Sequence, residues 1–465
     1  MSDNILIGLG LIVLLGFAAQ WLAWRIRVPS ILLFLVLGII AGPVLGYINP
    51  DKMFGEILIP FISFSVAIIL FEGGLTLKFS EFKNIGRVLS LLLSVGVLIT
   101  WLTAMLAAHW LFGLNIKIAI LLGAVLTVTG PTVIGPLLLS IRPKQRTGNI
   151  LKWEGILIDP IGALLAILVF EVLLIGEVDN AAPVILLHIL KTVLLTTLIG
   201  GGFAALLILL IRKYWIPGFL HELAALSFVV AAFLISNHLQ EESGLLATTI
   251  MGIVLANQKY VPVKKIKDFK ENLTILMIPV LFILLSARLS PGDIQILDYK
   301  ALIFLLVLVL IARPLSVFIS SIRSNLSLRE KMFVSWMAPR GIVAAAVSSV
   351  FALKLENDGI AQTEYLVPLT FMVIIGTVLI YGTTSPLAAK LLKISQSDPQ
   401  GVIIAGAQDW ARQIAQILKE HNFSVVILDT NRYNTREANM DGLNAYNESI
   451  ISEKVTEKVD LEGVG

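Results

Sequence analysis

With 465 residues, 57% of them hydrophobic and only 14% charged, the chain is too apolar for a soluble domain and reads as a polytopic membrane protein. Its formal net charge of +3 is too small to argue for nucleic acid. The absence of cysteine excludes disulfides, thiolate metal sites and cysteine nucleophiles.

A spanning helix needs about 20 mostly apolar residues. Thirteen windows qualify, near 5–24, 29–49, 57–76, 87–111, 116–140, 150–174, 183–211, 218–237, 243–257, 272–288, 301–321, 331–353 and 366–389. The first follows three polar residues and lacks a small-residue cleavage site, so it reads as a retained span. Loops after odd-numbered windows hold 21 basic residues, from Arg25 and Arg27 through Lys83, Lys265 and Lys270 to Lys390 and Lys393; those after even-numbered windows hold five. The positive-inside rule then puts the N-terminus outside and the C-terminus in the cytoplasm. Trp21, Trp24, Trp110, Trp153 and Trp215 fall near window ends, where an aromatic belt would lie. The five histidines, His109, His188, His221, His238 and His421, lack ligand spacing.

The fifth window contains TVTGPTVIGP (Thr127–Pro136), with two Gly-Pro pairs as breakers, Gly130–Pro131 before Thr132 and Gly135–Pro136; the twelfth contains MAPRGI, with Pro339, Arg340 and Gly341 adjacent. Pro removes a backbone donor and Gly weakens a helix, so both spans should unwind in mid-membrane. Such backbone survives at depth only where protein or a water-filled cavity satisfies it. Taking windows one to six and eight to thirteen as units, the broken helix is the fifth of each, and the units run in opposite directions. Two inverted six-helix repeats with paired discontinuous helices are the signature of a secondary transporter.

The sixth window, Ile150–Leu174, carries Glu154 and Asp159, with Pro160, read as a helix breaker, next to the latter. A charge at mid-helix costs at least about 2.5–3.5 kcal/mol on insertion scales, so such residues usually mark an ion path. Five residues along a helix turn through about 140°, so the two acids face different partners. Arg313, inside the eleventh window, needs a carboxylate, and Glu154 is the favoured one. Asp159 is then left to exchange between a proton and a metal ion. Glu72, at the inner end of the third window, and Arg340, at the second break, are the other intramembrane charges of interest. Glu171 and Lys191 lie where long side chains snorkel.

Composition shifts after the last window. Residues 1–393 form the membrane domain, 394–400 (ISQSDPQ from Ile394) a polar linker, and 401–465 a partial α/β segment. There, strand Gly401–Ala407, helix Trp410–His421 and strand Phe423–Leu428, ending in Asp429, outline the start of a dinucleotide-binding βαβ unit. Gly406 would make the turn and Asp429 would take a ribose hydroxyl, although Gln408 and Ala411 replace the later glycines. At 65 residues the segment is short for a doubly wound domain.

Together these stretches resemble monovalent cation/proton antiporters of the NhaP and sodium/hydrogen-exchanger type. The resemblance rests on FEGGL (Phe71–Leu75), TGPTVIGP (Thr129–Pro136), WEGILIDPIGA (Trp153–Ala163), ARPLSV (Ala312–Val317) and APRGI (Ala338–Ile342). It implies thirteen helices, a homodimer with core and dimerisation subdomains, and an elevator-like cycle. It implies cation or proton binding at Asp159 and agrees with the Glu154–Arg313 pairing. In such proteins Asp often stands at Gly130, Asn at Ile158 and Ser at Gly155. Without those oxygens, Asp159, Thr129, water and Glu72 would complete the ion's shell, which leaves Na⁺ or K⁺ open. One titrating carboxylate favours electroneutral exchange. The C-terminal segment resembles the start of a TrkA-type RCK domain, suggesting regulation by NAD(H), ATP or a similar nucleotide; transport itself requires no cofactor.

The sequence thus predicts an integral protein of a bacterial cytoplasmic membrane that exchanges Na⁺ or K⁺ for H⁺ and is not an enzyme. A nucleotide-gated potassium channel is the alternative, but no TVGYG-type filter occurs. A membrane redox enzyme lacks both a substrate domain and a haem or metal ligand set.

Overall fold

The computed structural model describes residues 2–26, 28–175, 181–241, 243–289, 292, 298–357, 359–395, 401–421 and 423–451. Arg27, linker residues 396–400 and the tail 452–465 lie outside the described residues, as do the side chains of Lys83, His188, Lys265 and Lys270. By internal contacts the chain divides into two units, Met1–Ile394 and Ser395–Gly465.

The described part of the first unit is helical: α1 (Ser2–Ile26), α2 (Ser30–Ile39), α3 (Pro50–Phe54), α4 (Leu58–Leu75), α5 (Phe79–Leu91), α6 (Val97–Phe112), α7 (Ile116–Val125), α8 (Pro131–Ile141) and α9 (Gln145–Ile175). Then come α10 (Ala181–Arg212), α11 (His221–Leu239), α12 (Ser243–Asn257), α13 (Lys264–Ala287), α14 (Tyr299–Val307), α15 (Arg313–Ser320), α16 (Leu328–Ser335), α17 (Ile342–Asn357) and α18 (Leu366–Leu391). Local sequence sets many of the boundaries. α6 stops at Gly113, whose left-handed φ of 65° lets its N–H reach His109 O at 3.0 Å. Asn115 then caps α7 by accepting the Lys117 N–H at 3.0 Å. Ser327 and Glu330 form a capping box on α16.

Among the described residues, eight helical stretches are long and apolar enough to cross a membrane unaided, and four shorter apolar helices accompany them. The breaks explain part of the difference from thirteen windows, because they cut the fifth and twelfth into pieces shorter than a span. Apolar side chains such as Trp24, Trp110, Leu139 and Leu198 face outward, as lipid contact requires. Helices approach closely through small residues: a Cβ on Gly74 of α4 would lie 2.5 Å from Thr249 O of α12. This is why the FEGGL stretch tolerates no larger side chain there.

Three local expectations need correction. Pro136 does not break its span; it lies inside α8, since one missing N–H frees only the Thr132 carbonyl four residues back. Pro160 likewise sits inside a continuous α9. Trp153 is not a belt residue. It is 3% exposed, and its Nε1 donates to Glu81 Oε2 at 2.8 Å, while Lys152 bonds Glu81 and Thr76 O. The sequence neighbourhood of Lys152 suggests an interface, but tertiary packing of α5 over α9 covers the indole.

Among the described residues, π-helical turns follow α2 at Ile40–Val44 and interrupt α5–α6 at Leu92–Gly96 and α14–α15 at Leu308–Ala312. The last two fall in the fourth and eleventh windows, and none of the three was legible in the sequence.

The second unit holds β1 (Val402–Ala405), α19 (Asp409–Glu420), β2 (Val425–Leu428), α20 (Arg432–Met440) and β3 (Asn444–Tyr446). The strands form a parallel sheet in the order β1-β2-β3, with Val402 beside Val425 and Val426 beside Asn444. β2 is buried along its whole length, consistent with its unbroken VVIL run.

Candidate functional site

The two broken helices meet. α7 ends at Val125 and α8 begins at Pro131; α16 ends at Ser335 and α17 begins at Ile342. Between them, Thr129 and Arg340 pair as an antiparallel backbone bridge. The approach is closest at Gly130 and Gly341, where a Cβ on either would lie 2.5 Å from the other's Cα. Two glycines are required here because two backbones cross without room for side chains.

Side chains of the second break and of α18 meet part of the freed backbone and pin the residues around it. Arg340, 3% exposed, donates from Nη1 to Thr127 O at 3.1 Å, so a cation of one break holds a carbonyl of the other. Its own N–H donates to Thr377 Oγ1 of α18 at 3.1 Å. Trp336 Nε1 donates to Thr384 Oγ1 at 2.9 Å, and Ser385 Oγ to Met337 Sδ at 2.9 Å. Thr377, Thr384 and Ser385 recur at i, i+7 and i+8 within an apolar span. That helical stripe was the readable signal for their role, and sequence reasoning missed it.

α9 packs on the crossing and carries both acids. Glu154, 4% exposed, faces Arg313, 5% exposed: Nη1 donates to Oε1, and Nη2 to Oε2 at 2.9 Å. Arg313 Nε also donates to Val334 O at 3.2 Å, closing the last turn of α16. Both groups are therefore matched in charge and hydrogen bonding, the condition under which a buried pair is tolerated. The π-turn of Leu308–Ala312 ends immediately before Arg313.

Asp159 faces the other way. It is 2% exposed, and its Oδ1 is buried without a hydrogen-bond partner among the described residues. The same oxygen lies 3.2 Å from where a Cβ on Gly341 would stand. The hydroxyls of Thr129 and Thr132, each 4% exposed, are also buried and unpartnered among the described residues. A Cβ on Gly130 would lie 3.3 Å from Thr132 Oγ1. The structure thus brings Asp159, Thr129, Gly130, Thr132, Arg340 and Gly341 to one place. Glu72 is not joined to them by the contact it makes with Thr274, which donates to it from α13. Ile134 Cδ1 comes within 2.8 Å of a Cβ built on Gly155, so an apolar group covers that flank of α9.

In the second unit, Asp429 accepts the N–H groups of Ala407 and Asn431 at 2.8 Å each, and Asn434 Nδ2 at 3.1 Å. Desolvation works to raise its carboxyl, but these donors hold it below the ordinary value. Gly406 makes its turn at φ 105°, with Gln408 Oε1 3.1 Å from where a Cβ would stand. Asp409 opens α19 and bonds Arg412. A carboxylate in the first helical turn repels phosphate, and Gln408 covers the glycine that would admit it. These residues do not suit a nucleotide diphosphate.

The sodium/hydrogen exchanger transmembrane family model matches residues 10–390. The K⁺/H⁺ antiporter NhaP of Alkalimonas amylolytica is 29% identical over 401 residues, covering 84% of this chain and 67% of that one. The K⁺/H⁺ antiporter NhaP2 of Shewanella oneidensis is 28% identical over 374 residues, covering 80% and 64%. The chain therefore spans about two thirds of the length of these relatives. The structure of the sodium proton antiporter MjNhaP1 from Methanocaldococcus jannaschii at pH 8 superposes with a TM-score of 0.67 at 24% identity, covering 83% of this chain and 97% of that one. With a polytopic helical fold like that structure and a family match across its membrane unit, the chain belongs to the sodium/hydrogen exchanger family of integral membrane transporters.

Proposed function

We propose that the protein exchanges Na⁺ or K⁺ for H⁺, with Asp159 as the shared site. The observation that carries this is the buried Asp159 Oδ1, unpartnered among the described residues beside two interrupted helices. A buried carboxylate must be met by a proton or a cation, and one group cannot hold both. The Thr129 and Thr132 hydroxyls offer the neutral oxygens that hard cations prefer. Glu154 and Arg313 are the structural pair that fixes α9 and leaves Asp159 free to load and unload. One exchanging carboxylate makes the exchange electroneutral. The names of the relatives, K⁺/H⁺ and Na⁺/H⁺ antiporters, support the reaction class. The apolar flank at Gly155 and Ile158 argues for weak discrimination against K⁺.

The further architecture belongs to the same proposal: thirteen spans, two inverted repeats, an elevator movement within a homodimer, and a bacterial inner membrane with the C-terminus inside. Matched breaks in the fifth span and matched π-turns in the fourth span of each unit support the repeats. The C-terminal sheet is assigned regulation of transport. Because its glycine turn does not suit a diphosphate, no nucleotide enters the mechanism.

Protons and cations compete at one carboxylate, so exchange should rise and fall across pH 6 to 9. Reconstituted vesicles with a pH-sensitive dye, challenged with Na⁺, K⁺ and Li⁺, test this. Undiminished exchange by Asp159→Asn would refute the site.

A further inference from the structure

Two loops and the capped start of α16 bring cations to one cavity of about 480 Å³, lined by Lys144, Ser327, Leu328, Arg329, Glu330, Lys393 and Ile394. Its residues come from loops whose windows carry the excess of Lys and Arg and from the first turn of α16, the end of that helix remote from the break after Ser335. The loops are fastened rather than merely adjacent, since Lys144 N–H donates to Ile394 O at 3.0 Å. The one acid in the lining is already engaged: Glu330 Oε2 accepts the Ser327 N–H at 2.7 Å. Three cationic side chains against one carboxylate leave the lining with an excess of positive charge.

Backbone geometry points the same way. Lys393 has φ 55° and Arg142, two residues before Lys144, has φ 48°. Both are left-handed positions after helix ends, where glycine is the usual residue. A topological excess of basic residues accounts for charge on this face, but not for the convergence of three cations on one half-open cavity. Leu328, 64% exposed, forms part of the lining, and Leu391, 74% exposed, precedes Lys393 by two residues. Cations beside exposed leucines match a headgroup joined to acyl chains, and basic pockets at helix ends are where anionic headgroups bind.

We propose that this cavity binds a phosphate-bearing anion, through Lys144, Arg329 and Lys393. The same chemistry could come from an anionic phospholipid or from free phosphate. The test is the melting midpoint of the purified full chain in neutral detergent, titrated with dioctanoyl phosphatidylglycerol, dioctanoyl phosphatidylcholine or inorganic phosphate. A ligand at saturation should raise the midpoint by about 2–4 °C. Phosphatidylglycerol acting alone identifies a lipid site; inorganic phosphate acting equally identifies a free-phosphate site. Lys144→Gln/Arg329→Gln/Lys393→Gln should abolish the shift, while Lys259→Gln/Lys264→Gln, at another basic loop, should retain it. If the triple variant does not fold, Arg329→Gln alone should weaken the response severalfold and Arg329→Lys should preserve it. No shift in the wild type, an equal shift with phosphatidylcholine, or an equal shift in the variants would overturn the proposal.

Discussion

The separation of labour on α9 can be tested by breaking one acid at a time. Glu154→Gln removes the charge that meets Arg313, while leaving Arg313 Nε on Val334 O. Both side chains are nearly fully buried, so the variant strands a guanidinium without its counter-charge. Removing one partner of a buried pair costs about 3–5 kcal/mol. At about 2 °C per kcal/mol for a large chain, the melting midpoint should fall by roughly 5–10 °C. Asp159→Asn should behave in the opposite way. It removes a carboxylate for which the described residues supply no cation, so the midpoint should hold or rise while exchange disappears. Replacing both Glu154 and Arg313 by apolar residues of similar volume should recover part of the lost stability, because no charge is left stranded. The assays are thermal unfolding in detergent and dye-monitored exchange in vesicles. A Glu154→Gln protein that melts like wild type yet cannot exchange would reverse the two assignments.

Gly341→Ala should abolish exchange in a chain that still inserts, because its Cβ would lie 2.5 Å from Gly130 Cα and force the crossing apart; vesicle exchange at matched protein density measures this. Gly155→Ser alone should destabilise against Ile134 Cδ1, whereas Gly155→Ser with Ile134→Val, which deletes that atom, should fold and raise preference for Na⁺ over K⁺. Competition between the two ions in the same vesicles reads the ratio. For the C-terminal sheet, the depressed Asp429 carboxyl contributes stability that is present above its unfolded pKa, about 3.9, and lost as pH falls through the lower folded value. Peptic cleavage of the full chain within 401–451, followed from pH 5 to 2, should therefore begin at higher pH in Asp429→Asn; identical onset would refute the contribution.

Much of this protein follows from local sequence. Long apolar windows make helices wherever they occur, since a bilayer leaves few other ways to satisfy the backbone. Gly130–Pro131 and Pro339–Arg340–Gly341 interrupt helices because each residue acts on its own turn. The 140° between Glu154 and Asp159 is fixed by helix geometry alone, and so is the statement that they need different partners. Local chemistry also misled. Pro136 and Pro160 read as breaks, but a single missing donor is absorbed within a packed helix. Trp153 read as interfacial, because nothing nearby in sequence announces that α5 covers it.

Tertiary structure decided which groups meet. Arg340 reaching Thr127 O spans 213 residues, and Arg313 reaching Glu154 spans 159. No periodicity encodes such distances. The π-turns before Arg313 and within α5–α6 carry no distinctive local sequence, so only the fold places them. Only the fold could reveal that Glu72 bonds Thr274, and that Thr132 Oγ1 stands buried beside Asp159's side of the crossing. The carboxylate was legible because a charge in hydrocarbon is conspicuous. Its surroundings were not, because they are built from backbone and hydroxyl groups that every helix contains.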